Sequence, residues 1–194
     1  MNALESALRR ARADIDKLGY RWALVGGFAV SARSIPRFTH DIDLAVAVAN
    51  DTDAEAVVRS MFDAGYTMHA SVEHDNGRLA TIRLRRNFDG VPVLVDLLFA
   101  SSGIESEIAA GADEIEIVPD LSLPVATTGH LIALKLLSRD DDTRPQDLAD
   151  LRELLSVATE ADIAAARAAV RLIEDRGYHR DRDLEADLDM LIAV

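Results

Sequence analysis

Cysteine is missing from this 194-residue sequence. Its absence excludes disulfide bonds, a thiolate-ligated zinc site and a cysteine nucleophile, and it favours a reducing compartment, so we expect a cytoplasmic protein. The sequence also lacks an unbroken apolar run of about eighteen residues, so we expect no membrane-spanning helix. The first twenty residues have an amphipathic helical pattern without the apolar segment of a signal peptide, so we expect no secretion signal.

Positive charge is scarce, because 21 Lys and Arg stand against 34 Asp and Glu and give a formal net charge of −13. Residues 101–194 hold 9 basic and 21 acidic residues, whereas residues 1–100 hold 12 and 13. The excess of acid argues against general, non-specific binding of nucleic acid, which depends on Lys and Arg along the phosphates. A local RNA contact in the first half is compatible with these numbers, and we assign it to Arg78, Arg83 and Arg85. A solvated strand face is the alternative.

Apolar residues make up 49% of the chain, which is enough for a sizeable buried core. Hydrophobic periodicity predicts a first part in which helices over 3–18, 28–34 and 54–64 alternate with strands over 22–25, 41–48, 66–72, 79–85, 91–99, 115–118 and 121–125. Asn87–Gly90 reads as the turn of a hairpin. The second part contains only helices, over 128–138, 146–157, 161–175 and 181–192. We therefore predict an α+β fold with a mixed β-sheet in residues 1–126 and a C-terminal helical region in residues 127–194.

Two carboxylates stand on one face of a predicted strand, because side chains alternate along a strand and Asp41 and Asp43 are two residues apart. Like charges at this spacing repel each other unless a cation lies between them. Carboxylate pairs suit Mg²⁺, which takes its other ligands from water and from substrate phosphates. The sequence thus predicts a magnesium site here; a solvated strand end is the alternative.

Two further features lie near this pair in the predicted fold. Gly26 and Gly27 precede a short helix, whose first amide groups can bind a phosphate. Asp96 interrupts a strand that is apolar on both faces, where an unpartnered carboxylate is costly. Asp96 is expected to be either a third metal ligand or the partner of a neighbouring arginine.

Lys135 is the only charged residue of a helix that is otherwise apolar. It is expected to meet a carboxylate or a triphosphate, and a lysine that reaches out to solvent from the helix edge is the alternative. Asp147 and Asp150 are three residues apart and therefore share one face of the next helix, which Pro145 begins. They could hold Lys135 or a nearby arginine in place, or they could simply stabilise the first turn of that helix.

These features together resemble the polymerase-β-like nucleotidyltransferase superfamily, in which a glycine turn and a short helix precede an Asp-x-Asp strand and a later strand aspartate. The string Arg37-x-Thr39-x-Asp41-Ile-Asp43 is similar to the AbiEii-type branch. That branch includes toxins of toxin–antitoxin systems, among them the MenT-like enzymes that add nucleotides to the 3′ end of tRNA. Residues 123–135 and 144–151 resemble its lysine helix and its Arg-x-x-Asp-x-x-Asp helix.

The resemblance implies transfer of a nucleoside monophosphate from an NTP to an acceptor, with Mg²⁺ as the cofactor, a tRNA 3′ end as the acceptor and a cognate antitoxin as a partner. Residues 1–126 would form the catalytic domain, and residues 127–194 would pack on the site. The implied metal ligands are Asp41, Asp43 and Asp96, and Asp96 either completes the metal site or accepts the proton of the attacking hydroxyl. The implied catalytic set adds Lys135 and Asp150 to these three.

The implied phosphate-binding residues are Gly26, Gly27, Arg37, Thr39, Lys135 and Asp147. The family often has Gly-Ser where this chain has Gly26-Gly27, so either the backbone amides bind the phosphate alone or Ser31 or Ser34 provides the hydroxyl.

Three other functions are compatible with the same residues. The acceptor could be a small molecule such as an aminoglycoside, or a protein side chain. The fold could bind a nucleotide without transferring it, or the acidic second half could dock a basic protein. The complete set of Asp41, Asp43, Asp96 and Lys135 disfavours these last two, since a decayed site would not retain all four.

Overall fold

A mixed β-sheet forms the centre of the protein in the computed structural model, which describes residues 3–74, 77–140 and 142–193. Numbered along the chain, its strands are β1 (Trp22–Val25), β2 (Asp41–Val46), β3 (Thr67–Glu73), β4 (Leu79–Phe88), β5 (Val91–Leu98), β6 (Asp113–Val118) and β7 (Leu121–Val125). Their order across the sheet is β3-β4-β5-β2-β1-β7-β6. β2 runs parallel to β5 and β1 runs parallel to β7, while the other neighbouring strands are antiparallel.

Helices flank this sheet and make up the rest of the regular structure in the described ranges. They are α1 (Ala3–Asp16), α2 (Gly26–Arg33), α3 (Asp51–Asp63), α4 (Glu105–Ala110), α5 (Thr128–Ser138), α6 (Pro145–Val157), α7 (Glu160–Asp175) and α8 (Leu184–Ile192). The α+β class with a mixed sheet is confirmed. No helix in the described part of the chain is both long and apolar enough to cross a membrane.

The two faces of β4 have different environments, and this difference positions the site. Ile82 and Leu84 are buried, and Arg86, which shares their face, reaches Asp14 of α1. Arg83 lies on the opposite face, because neighbouring residues of a strand alternate. α1 and α3 pack against the first face, so the face that carries Arg83 is the one left for a functional site.

The predicted elements are found with their ends shifted by a few residues. The turn between β4 and β5 has positive φ angles at Asp89 (52°) and Gly90 (81°), as a two-residue Asp-Gly hairpin turn requires. Helix α4 was not predicted. It is only six residues long, and its buried Glu105 accepts hydrogen bonds from the backbone and hydroxyl of Ser102, a pattern with no apolar periodicity to detect.

The C-terminal helices are joined to the sheet by a continuous core. Leu131 and Leu136 of α5, Leu154 of α6 and Leu188 of α8 belong to the same buried cluster as the strands. α5 packs against both α6 and α7. The guanidinium of Arg182, between α7 and α8, donates to the carbonyls of residues 136 and 139 and so satisfies the C-terminal end of α5. The division at residue 126 therefore separates two parts of one packed body, and it stays a prediction as a domain boundary.

Candidate active site

Three aspartates form one group on the sheet, which we call the strand carboxylates: Asp41, Asp43 and Asp96. Asp41 and Asp43 share a face of β2, and the parallel pairing of β2 with β5 places Asp96 directly beside Asp43. Asp96 is 7% exposed, whereas Asp41 and Asp43 are half-buried. The spacing along one strand and the register between two strands thus bring together the residues predicted to bind metal.

Arg83 lies against this group and partly compensates its charge. Its Nε and Nη2 atoms donate to the two carboxylate oxygens of Asp96 at 2.8 and 2.6 Å. Nη2 also lies 3.3 Å from Oδ2 of Asp41. Arg83 was predicted to contact RNA together with Arg78 and Arg85, but the structure places its guanidinium inside the carboxylate group, because the β4–β5 pairing sets it directly opposite Asp96.

One guanidinium does not neutralise three carboxylates, and Asp43 shows the effect. The protein atoms around its carboxylate, followed by the negative charge of Asp96, raise the pKa of Asp43 to about 7, although Lys135 and Arg83 act in the opposite direction. The strand carboxylates therefore carry an excess of negative charge that a bound cation would relieve.

The glycine pair at the end of β1 lies against Asp43 and Thr39. Gly26 has a φ of +64°, and a Cβ atom there would lie 1.9 Å from Oδ2 of Asp43. A Cβ atom at Gly27 would lie 2.6 Å from the hydroxyl oxygen of Thr39 and 3.0 Å from Nη2 of Arg37. Neither position accepts a side chain without movement of a site residue. The first amides of α2 are thereby held next to the strand carboxylates.

A hydroxyl group does lie next to Gly27, where the family often has a serine, but it belongs to Thr39 in the segment before β2. Ser34 donates to the carbonyl of Val30, and Ser31 hydrogen-bonds both backbone groups of Arg37, so both serines are engaged with the backbone. The Oγ1 atom of Thr39 occupies the space that a side chain on Gly27 would need. Of the hydroxyl groups of Ser31, Ser34 and Thr39, these contacts place that of Thr39 against the glycine turn.

A second group, which we call the helix carboxylates, consists of Asp147 and Asp150 on α6. Asp150 is 1% exposed and accepts from Nε and Nη2 of Arg37 at 2.6 and 2.7 Å. Nζ of Lys135 lies 2.7 Å from its Oδ2 atom, and Gln146 donates to Oδ1 at 2.9 Å. Burial raises the pKa of Asp150, but the hydrogen bonds from Arg37, Lys135 and Gln146 outweigh burial and hold this pKa below its ordinary value.

Asp147 is equally well supplied with donors. It accepts from Nζ of Lys135 at 2.8 Å and from the hydroxyl of Ser138 at 3.1 Å, and it forms an ion pair with Arg144, whose Nε atom lies 3.1 Å from its Oδ2 atom. Lys135 therefore bridges both helix carboxylates. Of the two partners expected for this lysine, a carboxylate or a triphosphate, the contacts show carboxylates. The i,i+3 spacing of Asp147 and Asp150 allows one lysine to reach both of them.

One cavity of about 560 Å³ is lined by the strand carboxylates and by Asp147 of the helix carboxylates, whereas Asp150 is buried. The walls of the cavity carry Gly26, Gly27, Arg37, Thr39, the strand carboxylates, Arg83, Lys135, Asp147 and Arg144, the arginine that begins the Arg-x-x-Asp-x-x-Asp string, together with Arg180, which was not singled out from the sequence. Phosphate-binding amides, paired carboxylates and cations thus converge on one space. Arg85 is exposed on β4, and Arg78 donates to the hydroxyl of Tyr178.

The donor set fits Mg²⁺ in part. Asp41 and Asp43 supply carboxylate oxygens, and a hard cation that keeps waters and phosphate ligands needs only one or two protein carboxylates. In the described ranges, no three Asp, Glu or His side chains are arranged around one point so that they could hold a metal ion. Arg83 binds both oxygens of Asp96, so this residue could join Asp41 and Asp43 only after Arg83 moves.

The pairing of Arg83 with Asp96 could have been predicted from the sequence. A two-residue turn at Asp89-Gly90 pairs Phe88 with Val91, and counting back along both strands pairs Arg83 with Asp96. Arg180 carried no such signal. It lies between α7 and α8, and it reaches the cavity only through the packing of the C-terminal helices.

Comparison with known proteins identifies the family. The sequence profile described as nucleotidyl transferase AbiEii toxin, Type IV TA system, matches residues 7–192. No curated protein sequence matches the chain significantly.

Solved structures with a similar fold include three of antibiotic-modifying transferases. ANT(2″)-Ia in complex with adenylyl-2″-tobramycin has a TM-score of 0.57 and 17% identity over 90% of this chain and 99% of that one. The lincosamide antibiotic adenylyltransferase LnuA, lincomycin-bound, has a TM-score of 0.52 and 16% identity over 81% and 100%. A solution structure of the antibiotic-resistance factor ANT(2″)-Ia has 0.51 and 18% over 100% and 91%. At these identities the likeness shows a shared fold.

Proposed function

The chain belongs to the AbiEii family of nucleotidyltransferase toxins, and from this premise we propose that it transfers a nucleoside monophosphate from an NTP to the 3′ end of a tRNA in a Mg²⁺-dependent reaction. Family membership establishes a nucleotidyltransferase; the metal, the acceptor and the residue roles are the proposal. One observation supports it most: the glycine turn lies directly against Asp43 and beside Arg37, in a cavity that Lys135 also lines.

The triphosphate is assigned to the part of the cavity between α2 and α5. Gly26 and Gly27 begin α2, and the free amide groups at a helix N-terminus favour the binding of an anion. Lys135 has three N–H donors, and its two carboxylate partners use two of them, so one donor is left for a phosphate oxygen. Arg37 contributes positive charge beside Gly27 while Asp150 fixes its orientation.

Asp41 and Asp43 would hold the Mg²⁺ ion, which when bound neutralises and polarises the phosphate oxygens. The reaction forms a bond between an acceptor hydroxyl oxygen and the α-phosphorus and breaks the bond from that phosphorus to the bridging oxygen, so that pyrophosphate leaves. Asp96 neighbours Asp43 and is assigned to the proton of the acceptor hydroxyl, once Arg83 releases one of its oxygens.

The acceptor separates this proposal from its main alternative. The resemblance to MenT-like enzymes favours a tRNA 3′ end. The transferases of similar fold whose structures contain lincomycin or adenylyl-2″-tobramycin favour a small molecule instead. The two possibilities differ in charge, since tRNA is a polyanion and an aminoglycoside is a polycation.

The deciding experiment incubates the protein with Mg²⁺ and each α-labelled NTP in turn, with total RNA, cell protein or an aminoglycoside as the acceptor. We expect label on tRNA, and none in the presence of a chelator. Label on protein or on an antibiotic alone would contradict the tRNA acceptor and leave the transferase intact. Bound nucleotide without any transferred label would instead identify a nucleotide-binding module.

A further inference from the structure

A second cavity of about 590 Å³ adjoins the first. Its walls come from β3 and β4, from the segment after β5 and from the α7–α8 connection. Thr81, Ser101, Arg144 and Arg180 line both cavities, so the two spaces are continuous at these residues. A molecule in the second cavity could therefore reach the strand carboxylates.

The described lining residues of this cavity include two arginines and one aspartate, although the cavity lies largely in the acidic half of the chain. Asp181 is its only acidic residue among the described lining residues, against Arg144 and Arg180. Arg144 has an ion pair with Asp147, whereas Arg180 has no ion-pair or hydrogen-bond partner in the described part of the chain. The surrounding protein, followed by the guanidiniums of Arg144 and Arg182, lowers the pKa of Arg180. An anion at this point would relieve their mutual repulsion.

The backbone that holds Arg180 is fixed by its surroundings. Arg180 and Asp181 both have a φ of +57°, a left-handed backbone conformation that is strained for residues with a side chain and persists only when neighbours enforce it. On one side, the ring of Tyr178 occupies the space beside Gly103, where a Cβ atom would lie 2.4 Å away, and it packs edge-on against His74. On the other side, Arg182 is bound to the end of α5.

The order of the strands indicates which reactant this cavity receives. Across the sheet, β1 with the glycine turn lies on one side of β2 and β5, and β4 and β3 lie on the other. The second cavity begins at Thr81 of β4 and extends to Val72 of β3. In phosphoryl transfer the attacking and leaving oxygens are roughly in line. With pyrophosphate leaving over the glycine turn, the attacking group comes from the side of the second cavity.

We propose that the second cavity is the acceptor site and that Arg180, together with Arg144, binds a backbone phosphate of a polynucleotide acceptor. This inference rests on the proposed transferase function, because it places the acceptor relative to the NTP. A polycationic antibiotic would meet the same guanidiniums as like charges, so the cavity disfavours it. The RNA contact thus moves from the β4 surface of Arg85 to the α7–α8 connection.

Binding measurements test the inference without relying on catalysis. The probe is a fluorescent RNA oligonucleotide with a free 3′ hydroxyl, and its anisotropy is measured against wild type and the variants Arg180→Gln and Arg180→Lys. We expect Arg180→Gln to weaken RNA binding about tenfold and to reduce the slope of log K against log salt by about one. Arg180→Lys should restore most of the affinity. Affinity for an NTP, measured separately, should change less than twofold in both.

Arg59→Gln removes one exposed arginine from α3, on the other face of the sheet, and serves as the control for general charge loss. Because Arg180 is exposed, its variants should melt within about 1 °C of wild type. Weakened NTP binding with unchanged RNA binding would overturn the inference and assign Arg180 to the triphosphate. RNA binding that depends on Arg85 and not on Arg180 would also overturn it, as would the absence of RNA binding by wild type. Arg180-dependent RNA binding without any transfer of label would support the site and contradict the proposed reaction.

Discussion

The strand carboxylates and the helix carboxylates belong to one candidate site but differ in how their charges are balanced. Asp147 and Asp150 are almost completely buried and together meet Arg37, Lys135 and Arg144. In the strand group, Arg83 is the cation that hydrogen-bonds Asp41 and Asp96. Burying a carboxylate without a partner is costly, so the helix group is stable as it stands and the strand group is incomplete.

This difference separates the framework of the site from its reactive part. The helix carboxylates orient two cations that arise far apart in the sequence, Arg37 before β2 and Lys135 on α5. The strand carboxylates keep an uncompensated charge at the place where the proposed reaction needs a cation. Each of the following predictions tests one side of this comparison, from the largest expected effect to the smallest.

Asp43→Asn should abolish the proposed transfer. We expect a loss of at least about 10²–10³-fold in labelled product, because the variant removes a charge that the reaction depends on and leaves the cations of the cavity in place. The measurement is single-turnover transfer from α-labelled NTP. Asp63→Asn, an exposed position on α3, is the matched control and should retain full activity. Asp43→Asn with the activity of wild type would remove Asp43 from the site.

Asp150→Ala should damage the fold rather than only the chemistry. It removes the carboxylate that pairs with Arg37 and leaves Lys135 with Asp147 alone, and breaking a buried pair costs about 3–5 kcal/mol, or roughly 10 °C in melting temperature. Thermal unfolding followed by circular dichroism measures this. Arg152→Ala, exposed on the same helix, should change the melting temperature by about 1 °C at most. Equal melting temperatures for wild type and Asp150→Ala would contradict the structural role of the helix group.

Arg83→Met should sharpen the metal site. Because Arg83 competes with an added cation for Asp41 and Asp96, its removal should raise the affinity for Mn²⁺ in the absence of nucleotide by about three- to tenfold, equivalent to about 1 kcal/mol. Isothermal titration calorimetry gives the affinity directly. Arg85→Met, two residues along the same strand face, controls for the loss of a nearby positive charge. Weaker binding in Arg83→Met than in this control would show that Arg83 supports the metal ligands instead of competing with them.

The two groups should also respond to pH in opposite directions in chelator-containing buffer. Asp43 has a raised pKa of about 7, so the folded state holds its proton more tightly than the unfolded state, and stability falls as pH rises from about 4 to about 7. Asp150 has a lowered pKa, so its contribution is present above pH 4 and is lost as pH falls further.

Asp43→Asn should therefore have a higher melting temperature than wild type at pH 8, by about 2–4 °C for each 1 kcal/mol of repulsion relieved. At pH 4 the variant and wild type should have the same melting temperature. The Asp150→Asn variant should melt below wild type at pH 8 and approach it in acid. If the difference in melting temperature between a variant and wild type is the same at all pH values, the substituted residue is not the source of the pH dependence.

Local patterns in the sequence were sufficient for most of the fold and for the membership of both groups. Strand alternation placed Asp41 and Asp43 on one face, and helical spacing placed Asp147 and Asp150 together. The partner of Asp96 was left open, although the hairpin turn already determined the register that sets Arg83 opposite. Lys135 was expected to meet either phosphate or carboxylate, and the structure gives it two carboxylates at once.

The features that were missed depend on packing between distant segments. Thr39 was expected to bind phosphate, but its place next to Gly27, where the family often has a serine, arises only because the chain before β2 returns to the start of α2. Arg180 reaches the cavity because the connection between α7 and α8 lies beside residues of β3 and β4. Neither a periodicity nor a motif along the chain encodes such a return.

The bond from Arg182 to the end of α5 links the assembly of the site to the order of synthesis. A nascent chain that has reached residue 160 already contains the strand carboxylates, Lys135 and both helix carboxylates, but it lacks the guanidinium that secures the end of the lysine helix. It also lacks Arg180. Translation therefore completes the proposed catalytic residues before it reaches Arg182, which holds the end of α5. A truncated translation product of this toxin-family chain is expected to be inactive.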